Sequence, residues 1–135
     1  MAPQHLPIFS TILSYCPPES TPSAIGPYSQ AVAANGFLFT SGQIGLVPET
    51  GAVAGDTIEA QAEQVCRNVQ AILEANGIGF DRVVKTTCFL ADMGDFAAFN
   101  AVYAKYFVSK PARSCVAVRT LPKGLLCEIE AVAAL

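Results

Sequence analysis

Arg113 stands in Pro111-Ala112-Arg113-Ser114-Cys115-Val116-Ala117-Val118, a guanidinium near the head of an otherwise apolar, strand-forming run. Only 8 of the 135 residues are Lys or Arg, so a cation in this setting asks for a reason. Buried without a partner it is too costly, and it must reach water or meet an anion. Its planar fork of donors suits a carboxylate. Two acids follow at Glu128 and Glu130, two residues apart and therefore on one face of a strand. Either acid could bridge to Arg113 as a structural ion pair, or handle a water molecule in a reaction. Strand alternation lets Arg113 and Glu128 share a sheet face only in certain registers, which sequence does not fix; a meeting across a subunit boundary is the other route. Cys115 lies on the face of Arg113 and reads as a small packing residue. Tyr28, after Gly26-Pro27, reads as a turn residue, and Ser41-Gly42 as a strand end where glycine permits a bulge.

The elements that must hold these residues can be read in order. A strand candidate at 8–14 is followed by the breaker-rich loop Cys16-Pro17-Pro18-Glu19-Ser20-Thr21-Pro22-Ser23. Residues 31–34 and 37–41 flank Asn35-Gly36, the pair suited to the positive φ angles of a type I′ hairpin turn. From Asp56 to Asn76, Ile58, Ala62, Val65, Val69, Ile72 and Leu73 recur at helical spacing, with Asp56 and Glu59 as a capping box and Gly77 as the stop. The run 82–91 reads as a central strand, with strand pairing as the duty of Lys85 and Thr86. A second helix from Asp92 or Asp95 carries Phe96, Phe99, Tyr103 and Tyr106 on one side as core. Strands at 112–119 and 126–134, joined through Leu121-Pro122-Lys123-Gly124, are expected to form a second hairpin. The order predicts an α+β fold, a mixed sheet with two helices on one face.

Composition sets the frame. The chain is 52% hydrophobic and 14% charged, against ordinary values of about 45–50% and about 25%. Apolar surface therefore exceeds what one subunit hides, and a closed ring of identical subunits is the simplest cover for the second sheet face. A net charge of -3 gives no basic field for nucleic acid. The five cysteines Cys16, Cys66, Cys88, Cys115 and Cys127 lack metal-ligand spacing and read as reduced thiols; His5 is the only histidine, so neither a zinc site nor a Ser-His-Asp arrangement has its parts. Leu6 to Tyr15 contains Pro7 and lacks a basic leader, and no run reaches membrane-spanning length. A soluble, intracellular protein is expected.

Ile25-Gly26-Pro27-Tyr28-Ser29-Gln30-Ala31, Ser41-Gly42-Gln43-Ile44-Gly45, Val84-Lys85-Thr86-Thr87, Asp95-Phe96, Pro111 to Val116, Leu121-Pro122-Lys123-Gly124 and Glu128-Ile129-Glu130-Ala131-Val132-Ala133 together resemble the RidA/YjgF family of enamine/imine deaminases, also called Rid or liver perchloric-acid-soluble proteins. The resemblance runs in order from about Ser23 to Ala133. It implies a chorismate-mutase-like α+β fold with about six strands, a homotrimer with active sites between subunits, and no cofactor or metal. The organisation it suggests is a strand-and-loop extension at 1–22 and a single domain at 23–135. The implied reaction hydrolyses 2-enamine and 2-imine acids, such as 2-aminoacrylate and 2-iminopropanoate, to 2-keto acids and ammonia. On this sequence Arg113 would clamp the substrate carboxylate, the main chain at Cys115 would add a donor, and Glu128 would activate water. Tyr28 would close the pocket, and Ser41 and Gly42 would line its wall. Small 2-imino and 2-keto acids are the implied ligands and the cytoplasm the implied location, with mitochondria left open. The loop Val108-Ser109-Lys110-Pro111 is shorter than the family pattern and lacks the aromatic that commonly precedes the proline. The alternatives are an RNA-directed translation inhibitor or endoribonuclease, which the acidic composition disfavours, and a non-catalytic ligand-binding or chaperone-like trimer.

Overall fold

Asn35 and Gly36 adopt φ angles of 50° and 81°, and the strands they join pair antiparallel from Ala34↔Phe37 to Ala31↔Thr40. This is the expected tight hairpin, because only residues tolerant of positive φ match the twist of the flanking strands. In the computed structural model, which describes residues 12–13 and 28–135, the strands are β1 (Ile12–Leu13), β2 (Ala31–Ala34), β3 (Phe37–Thr40), β4 (Gln43–Ile44), β5 (Val83–Leu90), β6 (Ala112–Ala117) and β7 (Cys127–Ala134). The helices are α1 (Ile58–Ala75) and α2 (Phe96–Tyr106). β1 falls within the strand candidate at 8–14; the rest of that candidate and the breaker-rich run after it lie outside the described residues, as do His5 and Cys16.

The strands form one mixed sheet in the order β1-β2-β3-β7-β5-β6, with β4 also paired to β7. β5 is central, as its apolar run predicts. The expected hairpin between the last two strands is not formed. β6 pairs with β5 in parallel and β7 pairs with the other edge of β5 antiparallel, so β5 separates them. The cause is the α2 crossover, which returns the chain beside β5 in the same direction and leaves the next strand to close the gap against β3. Leu121 to Gly124 does turn the chain, with Lys123 at φ 56°, but it links strands that are not neighbours.

α1 begins one residue later than expected. Thr57, not Asp56, is the cap, its hydroxyl accepting from the Ala60 N–H at 3.2 Å; Gly77 at φ 73° follows its end. Its buried face carries the predicted Ile58, Ala62, Val65, Val69, Ile72 and Leu73, together with Cys66, Gln61 and Asn68. These apolar residues pack with Phe99, Val102, Tyr103 and Phe107 and with the inward strand positions Leu38, Cys88, Leu90, Ile129 and Ala131. Burying a large apolar side chain contributes about 1.5–3 kcal/mol, so this one face holds the fold. The other face of the sheet, with Phe37, Phe39 and Val116 between 41% and 46% exposed, carries no helix among the described residues.

Candidate active site

Sheet order divides the predicted site residues into two groups. Thr86 is paired with Arg113 on one side and Ala131 on the other, while Phe89 is paired with Val116 and Glu128. Since side chains alternate, Arg113 and Cys115 point to the helix-covered face and Glu128 to the open face. A single chain therefore keeps the guanidinium and this carboxylate on opposite sides of the sheet. No ion pair joins Arg113 to Glu128 or Glu130 among the described residues, where ion pairs join only Glu63 to Arg67 and Lys105.

The open-face group is built by a bulge. Between the pairs Phe39↔Val132 and Gln43↔Ile129, three residues on one strand oppose two on β7. The extra residue breaks the ladder, and the Thr40 hydroxyl takes over as acceptor for the Ala131 N–H at 3.0 Å. Ser41 Oγ donates to the Ser29 carbonyl at 2.5 Å, and the Ser41 N–H donates to the Gln30 carbonyl at 2.8 Å, which ties the bulge to the segment carrying Tyr28. The buried Gln43 amide donates to Gln30 Oε1 and the Ser41 carbonyl. Gly42 then passes so close to Glu128 that a Cβ there would sit 2.6 Å from the Glu128 Cδ and 2.7 Å from Oε2. Tyr28, Ser41, Gly42 and Glu128 thus line one cavity of about 550 Å³ with Thr40, Pro122 and Glu130. Burial, and then the neighbouring Glu130 charge, raise the Glu128 carboxyl above its ordinary value.

The Arg113 group is held by α2. Nη1 of Arg113 donates to Asn100 Oδ1 at 2.8 Å, and the guanidinium lies 4.7 Å from the centroid of Tyr103 and 5.5 Å from that of Phe96. Phe96, Asn100 and Tyr103 follow helical spacing, so one stripe of α2 orients the cation. Tyr103 is itself fixed by a 2.7 Å hydrogen bond with the buried Thr86 hydroxyl. The aromatics expected as core therefore divide: Phe99 and Tyr103 are buried, while Phe96 is 36% exposed beneath the guanidinium. A cavity of about 490 Å³ adjoins Arg113. β6 is an edge strand, and the Val118 N–H donates to Leu90 O at 2.9 Å, so alternation turns the N–H groups of Arg113 and Cys115 to the open edge. Asn100, Thr40 and Pro122 were not singled out from sequence; for Asn100 the available signal was an amide on the aromatic stripe of a helix.

The remaining thiols are poor nucleophiles. Burial pushes Cys88 and Cys127 up to about 12 and Cys66 higher still, and also raises Cys115 despite the nearby guanidinium. Among the described residues no three His, Cys, Asp or Glu side chains gather as metal ligands, and no helix is long and apolar enough to cross a membrane.

Known proteins resemble this chain in sequence and fold. The family model described as Endoribonuclease L-PSP matches residues 18–135. A RutC family protein of Synechocystis sp. is 56% identical over 117 residues, 84% of this chain and 90% of that protein. The 2-iminobutanoate/2-iminopropanoate deaminase of Salmonella typhimurium is 50% identical over 119 residues, 85% of this chain and 92% of its own. The structure of E. coli TdcF with bound serine superposes with a TM-score of 0.82 at 42% identity, covering 87% of this chain and 94% of TdcF. With a family match across nearly its whole length and the same sheet, the chain belongs to the RidA/YjgF family.

Proposed function

We propose that this protein hydrolyses 2-imine acids, and the enamines that tautomerise to them, to 2-keto acids and ammonia, in a homotrimer whose sites are completed between subunits. The reading is carried by one observation: a guanidinium beside a cavity, fixed by an amide and two rings, with no carboxylate at ion-pair distance among the described residues. Such a cation is prepared for a ligand's carboxylate. The Salmonella relative's name as an iminobutanoate/iminopropanoate deaminase supports the substrate class, and the serine in TdcF supports a small amino-acid-like ligand.

Arg113 of one subunit holds the carboxylate, and the outward N–H of Cys115 adds a donor. Glu128 of the neighbouring subunit takes a proton from water as the water oxygen bonds to C2 of the imine, and passes that proton to the nitrogen. Glu128 then carries the hydroxyl proton of the resulting carbinolamine to its amino group, so that the C–N bond breaks with ammonia as leaving group and the C=O bond forms. Tyr28 closes the cavity, and Ser41 with the Gly42 main chain faces the reacting nitrogen. An imine is already electrophilic, so fixing the acid group, placing one water and moving protons are sufficient levers.

The test is complementation. Arg113→Ala and Glu128→Ala are each expected to lower imine hydrolysis, followed with an oxidase-generated imine and semicarbazide as competing trap, by about two orders of magnitude or more. Unfolding and reassociating the two inactive variants together should restore about a quarter of wild-type activity, the share of intact sites in random mixed trimers with one Arg113 and one Glu128 donor per site. Mixed assemblies that stay inactive would overturn the shared site.

A further inference from the structure

The cavity beside Arg113 is much larger than a substrate with a methyl or ethyl substituent needs. We propose that it receives the substrate's side chain and selects imino acids with bulky apolar substituents, branched aliphatic or aromatic; this rests on the reading that Arg113 holds the carboxylate. The volume of about 490 Å³ falls in the range of roughly 300–1,000 Å³ that encloses ligands larger than pyruvate. Its walls include Tyr103, Ala104, Phe107, Val108 and Pro111.

Away from Arg113, two of the polar atoms of these walls are already engaged. The Tyr103 hydroxyl is bonded to Thr86 and Asn100 Oδ1 to Arg113. Lys110, the other cation of the lining, is exposed, and its ammonium extends to solvent while its stem adds apolar surface. Among the described residues no carboxylate lines the cavity. What faces the ligand is ring and methyl surface.

The shape is set in advance. Phe107 stacks on Tyr103 at 4.3 Å and 15° and meets Phe80 edge-on at 4.9 Å. The turn into β6 is drawn the other way, since Ser109 Oγ donates to Val83 O at 2.9 Å and to Phe80 O at 3.2 Å. Lys110 takes φ 51° to complete the turn, its N–H donating to Phe107 O at 3.2 Å. The chain thus leaves the mouth of the cavity uncovered over Val108.

The deciding experiment pairs binding with turnover on the full chain. Calorimetric titration with 4-methyl-2-oxopentanoate, phenylpyruvate, pyruvate and 2-oxoglutarate is expected to show the first two binding at least tenfold tighter than pyruvate, since each methylene in an apolar pocket discriminates by about tenfold or more. Turnover of leucine- and alanine-derived imines should give the same order. Ala104→Phe, on the exposed side of α2, fills the cavity and should lower the bulky-to-small ratio about tenfold; Val108→Asp should lower it too, by charging the wall. Equal binding of all four, tightest binding of 2-oxoglutarate, or an Ala104→Phe effect that is uniform across ligands would overturn the assignment. If bulky keto acids bind selectively and no imine is hydrolysed, the pocket stands and the deaminase reading falls. If imines are hydrolysed without size preference, the reverse holds.

Discussion

At the scale of residues, the proposed site depends on the close approach of Gly42 to Glu128. Gly42 is fixed by space, because any side chain there meets the Glu128 carboxylate. The displaced atoms are the end of a flexible side chain, so Gly42→Ala should lower kcat/KM about tenfold to a hundredfold through misplacement of the base, while the unfolding free energy changes by no more than a surface substitution would, about 0.5 kcal/mol. Equal loss of stability and activity would contradict this. Glu128, raised above 4.5 by burial and Glu130, must be ionised to act as a base, so kcat/KM should climb with pH through that raised value. Glu130→Gln removes the neighbouring charge and should move the acid limb to lower pH. For stability the sign is opposite: the folded chain binds this proton more tightly than the unfolded one, so the contribution is full below 4.5 and lost as pH rises through the folded value. Arg113 stood out by residue type, Glu128 and Glu130 by their shared strand face and Ser41-Gly42 as a strand end where glycine permits a bulge, while the roles of Arg113, Glu128, Ser41 and Gly42 in a site came from the family resemblance. Asn100 was not, since nothing local says which helix faces the cation.

At the scale of elements, α1 both covers the sheet and anchors the bulge. Asn68 is fully buried and donates from Nδ2 to the carbonyls of Ile44 and Leu46, both at 3.0 Å. Gln61 donates to Gly55 O at 2.9 Å and accepts from the Leu126 N–H at 2.8 Å, joining the approach to α1 with the approach to β7. The Asn68 amide satisfies the Leu46 carbonyl just after β4 and joins the Leu46 N–H at the Ile44 carbonyl, and the Gln61 amide satisfies loop groups outside the strands. Asn68→Ala leaves the Leu46 carbonyl without its donor, while the Ile44 carbonyl keeps the Leu46 N–H at 2.8 Å, and should cost about 1–3 kcal/mol, read from urea unfolding at constant slope; a cost under about 0.5 kcal/mol would show that water replaces the amide. The apolar face of α1 was legible in its periodicity. Its two buried amides were not, because a polar residue at helical spacing looks the same whether it meets solvent or a carbonyl.

At the scale of the whole molecule, the naked sheet face and the divided site have a common remedy. Phe37, Phe39 and Val116 lie exposed on the face that carries Glu128 and Glu130, and in the proposed trimer a second copy seated there would both cover apolar surface and bring an edge strand toward a neighbour's carboxylate. Val116→Lys, which places a charge on that face beside the β6 edge, should shift the protein toward monomer in sedimentation velocity and lose imine hydrolysis in parallel, while the circular dichroism of the helices is retained. A monomer with full activity would refute the shared site.

Sequence by itself determined the kinds of elements, the Asn35-Gly36 turn and the buried stripe of α1, because each depends on local conformational preference or on periodicity along the chain; the family followed from the resemblance of its ordered motifs. Only the tertiary structure decided that β5 lies between β6 and β7 and that Arg113 and Glu128 consequently face opposite ways. Strand neighbours and register are fixed by the summed packing of residues far apart in sequence, and a change of one position reverses every side chain. No local pattern carries that information.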